Sequence, residues 1–197
     1  PSSTFLPLLL DDARPAIASA TLAARLAAEH DITRLDVVVA NAGASSGFRD
    51  VLELQDVEGE LVHDFVANAV GPVKLFRGVW PLLKEGGERK FVLVSSVMGS
   101  IGGLGEEMLP GLACKAAANF FARKLGLGFK GEGLLVGVVH PGWVKTPMGQ
   151  AVADAVNMKE PTMTVEESAA KVVERIDALT AETSAKFLSY DGRELSW

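Results

Sequence analysis

The sequence predicts an α/β fold, a parallel β-sheet with helices on both faces. Three observations carry that prediction. Short runs of β-branched and other apolar residues recur at Leu35–Ala40, Phe91–Val94 and Leu134–Val139. Segments with helical apolar spacing separate them. Each run also ends in small, polar or conformationally special residues: Asn41-Ala42-Gly43, Ser95-Ser96 and His140-Pro141-Gly142. Continuous apolar runs suit strands covered on both faces, and strands alternating with helices make a parallel sheet. Ligands of such sheets bind beyond the carboxyl ends of the strands, so the three run ends mark the edge where chemistry sits.

The elements follow in order. Ala, Leu and Ile recur at helical spacing from Pro15 to His30, with Pro15 suited to the first turn. The first strand then covers Leu35–Ala40. A long helical segment runs from about Val57 to Leu83, and Pro72 inside it predicts a kink or local break. The second strand is Phe91–Val94. A helix over Pro110–Phe129, rich in Ala, Phe and Leu, is expected to be mostly buried or to join a subunit contact. Gly131 and Gly133 break the chain before the third strand, Leu134–Val139. Thr164-Val165-Glu166-Glu167 reads as an N-cap with acids in the first turn of the last helix. Lys186–Tyr190 makes a short final strand. With no repeat, low-complexity tract or linker, residues 1–197 read as one domain.

Composition narrows the function classes. The formal net charge of -6 argues against nucleic acid or an anionic membrane as the main partner, since neither attracts a net negative surface. No apolar run reaches the roughly 18–20 residues of a membrane span. Phe5–Leu10 is apolar, but Asp11 and Asp12 follow and no basic residue precedes it, so a signal peptide is not expected. Cys114 is the single cysteine, which excludes an intrachain disulfide and suits a small buried hydrophobe in a reducing compartment. No His, Cys, Asp and Glu cluster has metal-ligand spacing, so no metal site is expected. The composition reads as a soluble cytoplasmic protein.

The strand-end motifs, taken together, resemble those of the short-chain dehydrogenase/reductase family. Asn41-Ala42-Gly43 after a buried strand is similar to that family's NAG element. Asn68, in Val66-Ala67-Asn68-Ala69-Val70-Gly71-Pro72, resembles the helix asparagine of its catalytic tetrad. Ser95-Ser96-Val97-Met98-Gly99 resembles the SSxxG that carries the catalytic serine, here Ser96. Cys114-Lys115-Ala116-Ala117 resembles the SKAA that carries the catalytic lysine, here Lys115. Pro141-Gly142-Trp143-Val144-Lys145-Thr146 resembles the PGxVxT loop at the nicotinamide end of the cofactor. The His-Pro-Gly-Trp-Val loop and the ending Ser189–Trp197 narrow the resemblance to fungal ketoreductases of the norsolorinic-acid type, which serve aromatic polyketide pathways. The resemblance implies a truncated Rossmann-like parallel sheet lacking the first strands of that fold. It also implies cofactor contacts from Asn41, Ala42, Gly43, Pro141, Gly142, Val144 and Thr146. Helices 57–83 and 110–129 would pair across a two-fold axis, giving a homodimer or homotetramer.

Two departures bear on activity. The family's motif is YxxxK, yet Gly111 stands four residues before Lys115, and the chain's only tyrosine is Tyr190. No glycine precedes Gly43, so these residues hold no glycine-rich turn for a pyrophosphate, and Asp11-Asp12 is a weak stand-in for an adenine-side acid. His140 becomes the leading spare acid or base. Glu106 and Glu107 read as solvated loop acids, and Trp143 and Met148 as walls of an apolar pocket for a flat aromatic ligand. Three functions stay open. One is a non-redox enzyme that cyclises, dehydrates or isomerises an aromatic or polyketide intermediate through Ser96, Lys115, Asn68 or His140, with no cofactor. Another is an NADPH-dependent ketoreductase whose N-terminal segment lies outside these residues. The third is an inactive scaffold.

Overall fold

A computed structural model describes residues 5–7, 18–48, 51–105 and 113–197. Its sheet has four strands in the order β1-β2-β3-β4, all parallel. They are β1 (Val37–Ala40), β2 (Lys90–Val94), β3 (Leu135–His140) and β4 (Phe187–Ser189). Helices α1 (Ala18–His30), α2 (Val57–Phe65), α3 (Gly71–Leu83), α4 (Cys114–Gly128), α5 (Pro147–Ala155) and α6 (Val165–Asp177) complete the described elements. The register sets Val38 beside Phe91, Val92 beside Gly137 and Val139 beside Leu188.

Side chains alternate across a pleated strand, and here the alternation separates two cores. Val38, Phe91, Leu93, Val136 and Val138 join α1, α3 and α4 on one face. Val92 and Val139 point to the other, where Leu179 and the partly buried Val172 and Ile176 cover them. Helices therefore lie on both faces, as the apolar runs predict. Coverage is uneven at β1: among the described residues Val39 stays 40% exposed, so this run is covered on one side only.

An aromatic cluster fixes α3 to the sheet. Phe76 stacks on Trp80 at 5.3 Å between ring centroids and meets Phe91 and Phe129 edge-on, each at 5.3 Å. Such pairs add to the energy of simple burial. Leu75, Phe76 and Trp80 thus belong to the chain's own core. Exposed apolar residues lie instead on α2 (Leu61, Val62, Phe65) and α4 (Phe120, Phe121, Leu127).

The predicted break near Pro72 is a π-helical turn at Val66–Val70. Pro72 sits in the first turn of α3 and has no N–H to give the carbonyl four residues back, that of Asn68. The wider turn takes up the mismatch. The predicted capping of the last helix is present in full: Thr164 Oγ1 accepts the Glu167 N–H at 3.1 Å, and the Glu167 carboxylate accepts the Thr164 N–H at 2.9 Å. Helix α5 is a departure from the sequence pattern, which predicts no helix over 147–155. Thr146 caps it by accepting the Gly149 N–H at 3.1 Å, and Pro147 opens it.

Candidate active site

The carboxyl ends of β1, β2 and β3 bring the candidate residues to one edge. Asn41, Ala42 and Gly43 are exposed there. Asn68 is fully buried behind them in the π-helical turn. Its amide donates to the carbonyls of Ala44 (2.7 Å) and Asp64 (2.8 Å), and its Oδ1 accepts the Ala44 N–H (3.2 Å). With both N–H groups used, Asn68 serves as a clamp between the π-helical turn and the loop after β1. Gly43 has to be small here. A Cβ on it would fall 2.9 Å from Asn68 Oδ1 and 3.4 Å from Lys115 Nζ.

A second clamp is absent from the sequence reading. Asp64 is buried, and its carboxylate accepts the Ser46 N–H at 3.0 Å and the Ser46 hydroxyl at 2.9 Å. It lies four residues before Asn68, so both acceptors of the loop come from one helix face. That spacing is the signal that would have found it.

At the end of β2 the two serines differ. Ser95 is buried and its hydroxyl donates to Asn119 Oδ1 at 2.5 Å, while Asn119 Nδ2 donates to the Gly99 carbonyl at 3.1 Å. Ser95 therefore holds the strand end to α4. Ser96 is partly buried and its oxygen accepts the Met98 N–H at 3.2 Å, capping the 3-10 turn Val97–Gly99. Its hydroxyl hydrogen has no acceptor among the described residues, so it can serve a ligand.

Lys115 lies in the first turn of α4 and is only 7% exposed. Its ammonium donates to the Val94 carbonyl at 3.0 Å, two residues before Ser96. Burial pushes its pKa below the ordinary lysine value, and the neighbouring Cys114 opposes that shift. Cys114 is buried too, and burial raises its thiol pKa, so it stays protonated as expected. Gly111 and the acids Glu106 and Glu107 lie outside the described residues, as do Asp11 and Asp12.

His140 closes the edge at the end of β3. Its Nδ1 accepts the Val97 N–H at 3.4 Å, which leaves the ring proton on Nε2. Burial brings its pKa down to about 4, with Asp191 opposing and Arg193 assisting. The imidazole is therefore neutral near pH 7. An unfolded histidine takes up its proton near pH 6.5, and the folded one only near 4. Between those values the unfolded chain binds more protons, so this contribution is whole above 6.5 and is lost as pH falls. Wild type should lose up to about 3 kcal/mol more than His140→Asn between neutral pH and about pH 4. Urea midpoints at the two pH values test this, and equal losses in both proteins would contradict it.

The strand order also carries Tyr190 to this edge. It follows β4, beside β3, and its ring centroid lies 6.3 Å from that of His140. Tyr190 lies near the far end of the sequence, in a different element from Lys115. The parallel pairing of the last two strands is what brings it back, although it does not occupy the position four residues before Lys115.

The loop after β3 is held from behind. Ser168 donates to the Pro141 carbonyl at 2.7 Å, and Met163 exchanges backbone hydrogen bonds with Trp143 (3.1 Å) and Lys145 (2.8 Å) around Val144. Gly142 has φ +90°, and a Cβ there would meet Met163 Sδ at 2.8 Å, so glycine is required on both counts. Trp143 Nε1 donates to the Gly149 carbonyl at 3.0 Å. Met148 is 39% exposed on α5, beside the Thr146 cap. Among the described residues no group of three or more His, Cys, Asp or Glu could hold a metal ion. No described helix is long and apolar enough to cross a membrane.

A family model described as short chain dehydrogenase matches residues 11–157. The chain is 37% identical over 172 residues to the short-chain dehydrogenase srdF of Neurospora crassa, covering 84% of this chain and 66% of that protein. It is 32% identical over 178 residues to the norsolorinic acid ketoreductase of Aspergillus parasiticus, covering 86% of this chain and 64% of that protein. The chain thus spans just under two thirds of the length of these relatives. Among solved structures, a carbonyl reductase from Pseudomonas aeruginosa PAO1 in complex with NADP matches with a TM-score of 0.68 at 27% identity, covering 95% of this chain and 75% of that one.

A dinucleotide such as NADP would meet two kinds of surface here. The exposed Asn41–Gly43 turn and the braced loop of Pro141, Gly142, Val144 and Thr146 offer a wall at the strand ends for its nicotinamide end. Thr146 Oγ1 is already engaged as the cap of α5. These residues hold no glycine-rich turn before β1, and Gly111 supplies no proton four residues before Lys115. Position 111 therefore offers no general acid to a hydride-transfer reaction.

Proposed function

The chain belongs to the short-chain dehydrogenase family, and on that premise we propose that it is a non-redox enzyme acting on a carbonyl substrate at the strand-end site. The reaction would be the cyclisation, dehydration or isomerisation of an aromatic or polyketide intermediate of fungal secondary metabolism. The observation that carries this reading is the pairing of a buried Lys115, with no carboxylate partner among the described residues, with glycine at position 111, where the motif has its proton donor. An amine whose charged form is disfavoured by burial suits proton transfer near neutral pH. Ser96 would offer its free hydroxyl hydrogen to the carbonyl oxygen. His140, neutral and donating through Nε2, is the second proton carrier at the same edge. Asn68 acts as a positioning residue through the loop it clamps. Trp143 and Met148 supply apolar surface for a flat ring. The lone buried cysteine suits a reducing cytoplasm.

NADPH titration by fluorescence on the full-length gene product tests this reading. The expected result is weak binding or none. Saturable binding at micromolar or better, about -8 kcal/mol, would favour the second reading, an NADPH-dependent ketoreductase. What supports that second reading is the extra third of the relatives' length, which lies beyond this chain's match.

The exposed faces of α2 and α4 support self-association. Phe120 is 67% and Leu127 60% exposed, and a helix apolar outside its core stripe needs cover. A homodimer or dimer of dimers is expected by light scattering at working concentration. Phe120→Glu should shift it toward monomer, and a wild-type monomer would refute the assembly.

A further inference from the structure

Two lysines are buried in the described fold, and they are treated differently. Lys90 pairs with the Glu88 carboxylate at 2.6 Å and also donates to the Asp177 carbonyl at 3.4 Å. Among the described residues Lys115 has no carboxylate partner, and its hydrogen bond there goes to a neutral carbonyl, that of Val94, at 3.0 Å. A buried cation without an anion is costly, and the usual resolution is to lose the proton. Losing it leaves a nitrogen lone pair, and desolvated lysines of this kind are the ones that add to carbonyl carbons.

Geometry gives that lone pair an approach. Nζ lies 3.4 Å from where a Gly43 Cβ would stand, and Gly43 itself is exposed. The side-chain-free Gly43 thus leaves the amine next to an exposed stretch of backbone at the strand-end edge. The hydroxyl of Ser96, two residues beyond the carbonyl that holds Nζ, stands on the same strand end with its hydrogen free.

We propose that Lys115 is an amine nucleophile that forms an imine with a ketone or aldehyde bearing an acidic α-carbon, the 1,3-dicarbonyl class above all. This rests on the non-redox reading and supplies its chemistry. The nitrogen lone pair attacks the carbonyl carbon, forming the C–N bond. The carbonyl π pair moves to oxygen, which takes one proton from the attacking nitrogen and a second from solvent, with Ser96 placed to donate a hydrogen bond to it. The C–O bond then breaks as water leaves, and the nitrogen retains one proton in the iminium. That iminium withdraws electrons, so an α-proton passes to water and the resulting enamine carbon can attack a second carbonyl or be reprotonated. Water addition reverses the first steps and frees the lysine. No oxidant or reductant enters, and hydrolysis consumes the water released and returns the solvent proton taken up on imine formation.

The test uses acetylacetone, a 1,3-diketone that traps neutral lysine as a conjugated enaminone, with the full-length protein and peptide mapping by mass spectrometry. The expected result is one adduct, of diketone less one water, on the peptide carrying Lys115. It should form at least tenfold faster than at exposed Lys84 or Lys124 and be absent in Lys115→Met, which fills the volume of the stem without an amine. No adduct at Lys115, or one no faster than at the exposed lysines, overturns the proposal. The two readings fail separately. Nicotinamide-free turnover without the adduct sinks the imine and leaves proton transfer standing, whereas the adduct without such turnover upholds the nucleophile and sinks the assigned reaction.

Discussion

Lys115→Met and Ser96→Ala should each cut turnover of the pathway intermediate at least a hundredfold while leaving the fold intact. Losing a positioned donor or charge at a developing charge costs ~3 kcal/mol. Methionine fills the volume of the lysine stem, so the core around α4 keeps its packing, and the change removes the amine alone. Ser96→Ala also removes the acceptor for the Met98 N–H, which should lower stability by about 1 kcal/mol and no more. Rates measured without nicotinamide, on the intermediate recovered from a strain lacking the gene, read the effect. Undiminished turnover in both variants would place the chemistry elsewhere. No turnover by wild type would favour a scaffold.

The largest loss of stability should come from Phe76→Ala. Phe76 is 3% exposed and its ring touches Trp80, Phe91 and Phe129. Removing it opens a cavity where α3, β2 and the end of α4 meet, at a cost of ~3–5 kcal/mol. Leu52→Ala, at a side chain 94% exposed, should change stability by less than about 0.5 kcal/mol. Urea unfolding midpoints of the two variants give the comparison. Equal midpoints would mean that the aromatic cluster is not what ties α3 to the sheet.

Much of this fold was legible because strand and helix signals were locally strong. The runs ending at Ala40, Val94 and Val139 are β-branched and short, and each lies within a residue or two of an observed strand. The Thr164 cap was legible because its partner Glu167 lies three residues on. Helix α5 was not, because Gly149 and Pro147 weaken its helical pattern and Thr146 was assigned to a ligand loop rather than to a cap. The exposure of Val39 shows the limit of reading apolar runs, since a run cannot say which of its faces is covered.

At the site, sequence named the strand-end residues but not their surroundings. The motif placed Lys115 in a cleft. Its burial, and the lack among the described residues of a carboxylate such as Lys90 has, depend on tertiary packing. Asn68 was read as a catalytic group, and its bonds to Ala44 and Asp64 show where its amide is spent. Tyr190 is distant from His140 in sequence, and only the β3–β4 pairing joins them.

The central proposal is that this site performs carbonyl chemistry without hydride transfer, because position 111 is glycine while Lys115 and Ser96 remain. The most direct measurement is the mass of the product formed from the pathway intermediate by the full-length protein, with and without NADPH. The predicted product is an isomer of the intermediate, or the intermediate less one water, formed equally in both reactions. A product heavier by two hydrogens, appearing only when NADPH is supplied, would contradict the account.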